Sequence, residues 1–273
     1  MVSLQNLKYK SVLVFGLGIS GKATAIRLMN NKSKVSVWDD QLKSKQYKNY
    51  FFDSKYFLND YDYIVVSPGI NIDQHKKREF FRTNQHKIIT DIDIFISSLN
   101  LNNHKVIAIT GTNGKSTFSK LIYDIVKLKY KNSQLLGNFG KPVLSHDVSS
   151  KNGIYILELS SYQIEKSKFL KTHLSAILNI TPDHLDRHKT FKNYIEIKLS
   201  IFDSLVPHGK GFINTPINKI NFINLNLKKK NKKIIKIKNQ RRYLNIKNNY
   251  FNNKKFDTSL NICFEIFKSL KIP

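Results

Sequence analysis

Residues 105–126 read Lys105-Val-Ile-Ala-Ile-Thr-Gly111-Thr-Asn-Gly114-Lys115-Ser116-Thr117-Phe-Ser-Lys-Leu-Ile-Tyr-Asp-Ile-Val126, and this stretch decides the fold. Lys105–Ile109 is an apolar run of strand length, and Ser116–Val126 carries apolar residues at helical spacing. Between them Gly111, Thr112, Asn113, Gly114, Lys115, Ser116 and Thr117 make a glycine-rich turn from strand into helix. That is the setting in which backbone N–H groups cradle phosphates. The general pattern asks for glycine where this chain has Ile109, so the loop is a shortened variant. In such a loop Lys115 neutralises β- and γ-phosphate charge and the Ser116 hydroxyl reaches Mg²⁺. A glycine turn with an exposed lysine does not account for Gly, Lys, Ser and Thr standing in register.

Upstream, the first ninety residues alternate strand and helix signals, which predicts a parallel sheet with helices on its faces. Strands are expected at 12–15, 35–38, 63–66 and 88–89, and helices at 20–29 and 91–99. Gly16-Leu-Gly18-Ile-Ser20-Gly21 follows the first strand and opens the first helix. The first glycine suits a tight turn, the second lets backbone approach a diphosphate, and the third lets helix pack on strand. Asp39 follows Gly18 by 21 residues, at a strand end where a ribose or base contact would sit. Alone, this pattern indicates a nucleotide-like ligand and leaves NAD and a UDP-sugar equally open.

Downstream, strands are expected at 154–157 and 174–178, and helices at 190–202 and 258–270. The alternating apolar and basic residues of 210–256 predict small antiparallel strands. Glu158 ends a strand beside the phosphate loop, where a magnesium ligand belongs. Thr181-Pro-Asp183-His184-Leu-Asp186-Arg187-His188 places two His and two Asp in one loop after a strand, a pattern that favours a metal or phosphate site. Lys198 lies between Ile197 and Leu199, so its side chain is a candidate to turn inward from a helix.

The 273-residue chain has 46 Lys+Arg against 19 Asp+Glu, a formal charge of +27, yet 41% hydrophobic residues, which excludes a disordered chain. The length accommodates two domains. The single cysteine, Cys263, excludes an intramolecular disulfide framework and a Cys-based zinc site, and fits a reducing, cytoplasmic setting. No apolar run reaches the length of a membrane-spanning helix, so no membrane association is expected. A signal peptide is rejected, because Gly16, Gly18 and Gly21 would break its apolar region. Lysine is enriched along the whole chain and is densest at 217–256, including Lys228-Lys-Lys-Asn-Lys-Lys233. A charge run carries little specificity, so this stretch reads as a solvated edge and no nucleic-acid partner is expected.

Three motifs occur together in the order and spacing of the Mur ligases, and the chain resembles that family. They are Gly111–Thr117, Leu157-Glu-Leu-Ser-Ser-Tyr-Gln163 and Thr181–His188. Gly16–Gly21, Ser67-Pro-Gly-Ile70, Thr90-Asp-Ile-Asp93 and Gly137-Asn-Phe-Gly140 resemble the branch that joins D-glutamate to UDP-N-acetylmuramoyl-L-alanine. The resemblance implies an α/β protein: an N-terminal Rossmann-like domain for the UDP-substrate at 1–98, then a central P-loop ATPase-type domain at 99–257. It implies ATP and two Mg²⁺ ions as cofactors, an acyl phosphate intermediate, D-glutamate as acceptor, and a monomer in the cytoplasm. By resemblance Ser116 and Glu158 hold the first ion and His184 the second. Lys198 matches a carbamylated lysine that supports a metal, so Lys115, His184 and Lys198 are the catalytic set. Gly16, Gly18, Ser20, Gly21, Asp39, Asn138 and Ser160 fall at substrate positions.

The chain departs from the family pattern in two places. Relatives carry a third, C-terminal domain, and 258–273 reads as the start of one that is absent here. A fragment inactive alone, a split gene product needing a separate C-terminal chain, or a remnant that only binds UDP-sugar and ATP are the expected alternatives. Asn214-Thr-Pro216 also stands where relatives have an Asn-x-Asp segment, so an acid is missing.

Overall fold

The computed structural model describes residues 2–40, 60–146, 152–214, 221–238 and 251–273. Two compact units emerge, one of Met1–Leu99, Lys141–Val148 and Lys166–Leu170, the other of Asn100–Gly140, Ser149–Glu165 and Lys171–Pro273.

The first unit holds strands β1 (Ser11–Phe15), β2 (Lys34–Trp38), β3 (Tyr63–Val66) and β4 (Ile88–Ile89), in the order β2-β1-β3-β4 and all parallel. Its helices are α1 (Ile19–Asn30), α2 (Arg78–Thr83) and α3 (Asp91–Ser97). Helix α3 begins where its sequence says it should: the Thr90 hydroxyl accepts from the Asp93 N–H, and the Asp93 carboxylate accepts from the Thr90 N–H. Leu13, Phe15, Ile64, Val66 and Phe81 form one core, and Phe15 meets Phe81 edge to face at 4.9 Å.

The second unit is a six-stranded parallel sheet in the order β10-β9-β8-β5-β7-β6. The strands are β5 (His104–Thr110), β6 (Gln134–Gly137), β7 (Gly153–Glu158), β8 (Thr172–Ile177), β9 (Leu205–Asn214) and β10 (Ile234–Ile237). The helices are α4 (Lys115–Lys129), α5 (Ser161–Lys166), α6 (Leu185–His188), α7 (Phe191–Leu199), α8 (Asn221–Lys229) and α9 (Asp257–Ser269). Strands β5 and β7 are buried throughout but for Lys105, as parallel strands covered on both faces must be.

The small antiparallel strands expected over 210–256 are corrected. Both β9 and β10 run parallel to their neighbours, and α8 lies between them in the chain. Ile223 and Leu227, four residues apart, are buried on one face of α8 while Leu225 is exposed. The alternation was therefore one helical face, and a helix is what a parallel crossover requires. The rest of that expectation, at 215–220 and 239–250, lies outside the described residues, as do Thr215 and Pro216 of the missing-acid segment. Helix α9, read from sequence as the start of a further domain, packs within the second unit. Ile262, Cys263 and Ile266 share a core with Ile107, Phe118 and Ile122.

The first glycine turn has a testable geometry. Gly16 has φ +94°, and a Cβ on Gly21 would stand 1.8 Å from the Gly16 carbonyl oxygen, whereas a Cβ on Gly18 would meet nothing within 4 Å. Gly21→Ala is expected to cost about 1–3 kcal/mol or more through overpacking. Gly18→Ala, at a helix N-cap, should cost no more than about 1 kcal/mol. Urea unfolding followed by the fluorescence of Trp38, the single tryptophan, reports on this unit directly.

Candidate active site

The second unit gathers its polar side chains where β5, β6, β7 and β8 end. Gly114 caps α4 with φ +77°, a left-handed turn that glycine adopts without strain. The loop before it is tied to the exit of β8 by Asn179. Its side-chain oxygen accepts from the N–H of Thr112 at 3.0 Å and of Asn113 at 2.8 Å, and its amide donates to the Asn113 carbonyl at 2.8 Å. The Thr112 hydroxyl donates to the Thr181 carbonyl at 3.1 Å, receives the Thr181 N–H at 3.0 Å, and lies 3.1 Å from the Tyr194 hydroxyl. Gly111 packs against Leu178 and Asn179, where a Cβ would come within 3.2 Å. Ser116 and Thr117 stand in the first turn of α4, partly exposed.

Two lysines border this loop. Lys115 donates to the Thr112 carbonyl at 2.8 Å. Burial lowers its pKa, with Glu158 and Asp183 opposing. Lys198, 1% exposed, does turn inward from α7 and donates to the Gly111 carbonyl at 3.0 Å and the Thr110 hydroxyl at 3.3 Å. Its ammonium also sits 4.8 Å from the Tyr194 ring centroid. Burial first, and the Lys115 charge second, bring the Lys198 pKa down to about 7 against the pull of Asp183.

Glu158 ends β7 fully buried. One carboxylate oxygen accepts from the Asn138 side chain at 3.0 Å, and the other has no hydrogen-bond partner among the described residues. Asn138 also donates its N–H to the Glu158 carbonyl at 2.9 Å. Close approach of the two strand ends needs Gly137: its φ is +109°, and a Cβ there would lie 2.4 Å from the Glu158 carbonyl oxygen. Ser160 forms a reciprocal turn with Gln163, accepting its N–H at 3.2 Å.

The Thr181–His188 loop splits its histidines. His184 is exposed, has φ 51°, and pairs with Asp183 at 3.4 Å. His188 is buried, and its Nε2 lies 2.9 Å from the Ser161 hydroxyl. Among the described residues no three His, Cys, Asp or Glu side chains gather as a metal-holding group. Asn179, Tyr194 and the Ser161–His188 pair were not singled out in the sequence. The available signal for Asn179 was a polar residue directly after an apolar strand.

In the first unit the Asp39 carboxylate accepts the Leu17 N–H at 2.6 Å, bracing the glycine turn itself. The Ser67 hydroxyl donates to the Gly16 carbonyl at 2.7 Å. Gly18 is exposed and Ser20 partly exposed at the start of α1.

Residues 109–273 match the family description of the Mur ligase middle domain. The chain is 37% identical over 209 residues to the UDP-N-acetylmuramoylalanine–D-glutamate ligase of Wolbachia pipientis, covering 74% of this chain and 40% of that protein. It is 38% identical over 211 residues to the protein of the same name from a Thermoanaerobacter species, covering 72% and 46%. The chain thus spans less than half the length of these curated relatives. Among solved structures, a UDP-N-acetylmuramate:L-alanyl-γ-D-glutamyl-meso-diaminopimelate ligase from Neisseria superposes with a TM-score of 0.55 at 16% identity, covering 83% of this chain and 77% of that one. A murein peptide ligase from Psychrobacter arcticus gives 0.51 at 15%, covering 84% and 53%. These two show a shared fold.

Lys198 yields a pH prediction. Unfolded, it takes a proton at its ordinary value of 10.5; folded, only near 7. Between those values the unfolded chain binds the extra proton, so Lys198 costs stability as pH falls from 10 toward 7. Lys198→Met should be more stable than the parent at pH 7, with the gap narrowing as pH rises. Urea midpoints at pH 7, 8 and 9 check this, and a gap that widens with pH contradicts the buried-ammonium assignment.

Proposed function

The chain belongs to the Mur ligase family, and from that premise we propose that it acts in the ATP-dependent joining of D-glutamate to UDP-N-acetylmuramoyl-L-alanine, a cytoplasmic step of peptidoglycan precursor synthesis. The observation that carries this reading is the buried Glu158 with one unpartnered oxygen, set at the strand ends beside the glycine-rich loop. The names of the similar curated ligases support the choice of substrates.

In this reading the terminal phosphoryl group of ATP passes to the free carboxylate of the UDP-substrate. The amine of D-glutamate attacks the acyl phosphate, and amide, ADP and phosphate result. Within Gly111–Thr117 the backbone N–H groups other than those Thr112 and Asn113 give to Asn179 hold the triphosphate, and Lys115 leaves its Thr112 carbonyl to meet the phosphates. Gly16, Gly18, Ser20, Gly21 and Asp39 take the uridine diphosphate, and Asn138 and Ser160 are further substrate contacts.

The residues fit a divalent cation, because a buried carboxylate oxygen without a donor suits a metal. Glu158 and Ser116 would hold it; when bound, Mg²⁺ offsets the charge of the phosphates. His184 and Lys198 would hold a second ion. An ammonium at position 198 repels a cation, so that role calls for the carbamate. A lysine with a pKa near 7 keeps a large fraction of neutral amine at neutral pH, the form that reacts with carbon dioxide.

Lys115→Ala should abolish measurable binding of ATP in the presence of Mg²⁺, since the cradle loses its principal phosphate-facing cation. Neutralising Lys228–Lys233 should leave the affinity within about threefold at physiological salt. Calorimetric titration measures both, and equal affinity of the Lys115 variant and its parent would overturn the loop assignment. For the reaction itself, ADP and D-glutamyl product are measured with all three substrates, for the chain alone and with a separately expressed C-terminal domain from a relative; wherever the parent forms product, Glu158→Gln is expected to form none.

A further inference from the structure

One buried group near the site has no part in the chemistry above. His188 is 1% exposed, and its Nδ1 has no hydrogen-bond partner among the described residues. An orphaned ring acceptor costs less than an orphaned N–H donor, which is the rarer of the two in protein interiors. The proton therefore belongs on Nε2, which donates to the Ser161 hydroxyl at 2.9 Å. The ring lies between two tyrosines, 5.3 Å from the Tyr162 centroid at 28° and 5.3 Å from the Tyr194 centroid at 47°.

The backbone around it is equally constrained. His184 and Lys189 flank α6 with φ of 51° and 67°, conformations that non-glycine residues keep only where the surroundings over-determine them. The His188 N–H donates to the His184 carbonyl at 3.0 Å, and the His188 carbonyl accepts from the Asn193 side chain at 3.0 Å. Beyond the ring, the Tyr194 hydroxyl reaches Thr112 in the glycine-rich loop. A packed path thus runs from Ser161 at the start of α5, through the imidazole, to the loop read as the phosphate cradle.

We propose that His188 is a positioning residue, pinned by Ser161 and wedged between Tyr162 and Tyr194, that fixes the Tyr194 hydroxyl on Thr112 and so sets the shape of the loop before nucleotide arrives. Its functional readout rests on the ATP reading above; its structural readout does not.

The test is a double-mutant cycle with two readouts on the full chain. His188→Ala and Tyr194→Phe should each weaken ATP affinity by about tenfold, and the double variant by about tenfold rather than a hundredfold, because both act through one contact. In nucleotide-free protein, His188→Ala should shift the NMR amide resonances of Thr112 and Asn113. His188→Phe, which keeps the wedge and loses the Ser161 bond, takes the place of the alanine variant in the cycle if that variant unfolds. Additive losses, or unmoved Thr112 and Asn113 amides, overturn the proposal. If the parent chain itself binds no ATP, the ligase reading fails, and the amide shifts still decide whether His188 positions the loop.

Discussion

The side-chain amide of Asn179 holds the glycine-rich loop against the exit of β8, and the rest of the site takes its position from that clasp. A loop rich in glycine has many conformations to lose, so its shape must be imposed from outside. One planar amide receives two consecutive backbone N–H groups and returns a donor to the same loop. Thr112 then engages Thr181 and Tyr194, and Lys198 reaches the Gly111 carbonyl from the opposite helix. Each contact depends on the loop already lying where Asn179 puts it.

The electrostatics follow from that placement. Lys115 and Lys198 share a poorly solvated neighbourhood in which Asp183 pulls on both and Glu158 on Lys115. Desolvation disfavours both ammonium groups, so an incoming polyanion relieves a strain that the fold itself sets up. The same logic explains why Lys198 donates to a carbonyl and a hydroxyl: buried without them, its charge would be far costlier.

Most of the parallel architecture was legible because β5 and β7 are uninterrupted apolar runs ended by glycine or acid, and because Thr90-Asp-Ile-Asp93 spells its own cap. The glycine-rich loop was legible through its register of Gly, Lys, Ser and Thr. The inward turn of Lys198 was legible only as an expectation, since in a lysine-rich chain nothing in its spacing distinguishes it from a solvated neighbour. Strand β6 was missed, being a four-residue edge strand. Helix α8 was misread because Phe222, Ile223, Leu225 and Leu227 fit both a period of two and a helical face, and only packing chooses. The clasp of Asn179 and the packing of His188 were illegible in a different way. Their importance lies in partners dozens of residues away, which no local pattern encodes.

The position of β10 gives the lysine run a meaning beyond composition. That strand is the outermost of its sheet, with one side of its backbone unpaired by any other strand among the described residues. Lys232, Lys233, Lys236 and Lys238 lie along it or beside its ends. A bare strand edge is a template for pairing with the edge of another molecule, and a row of ammonium groups makes two such edges repel. Lysines of this kind at an edge strand disfavour the addition of strand to strand between like molecules.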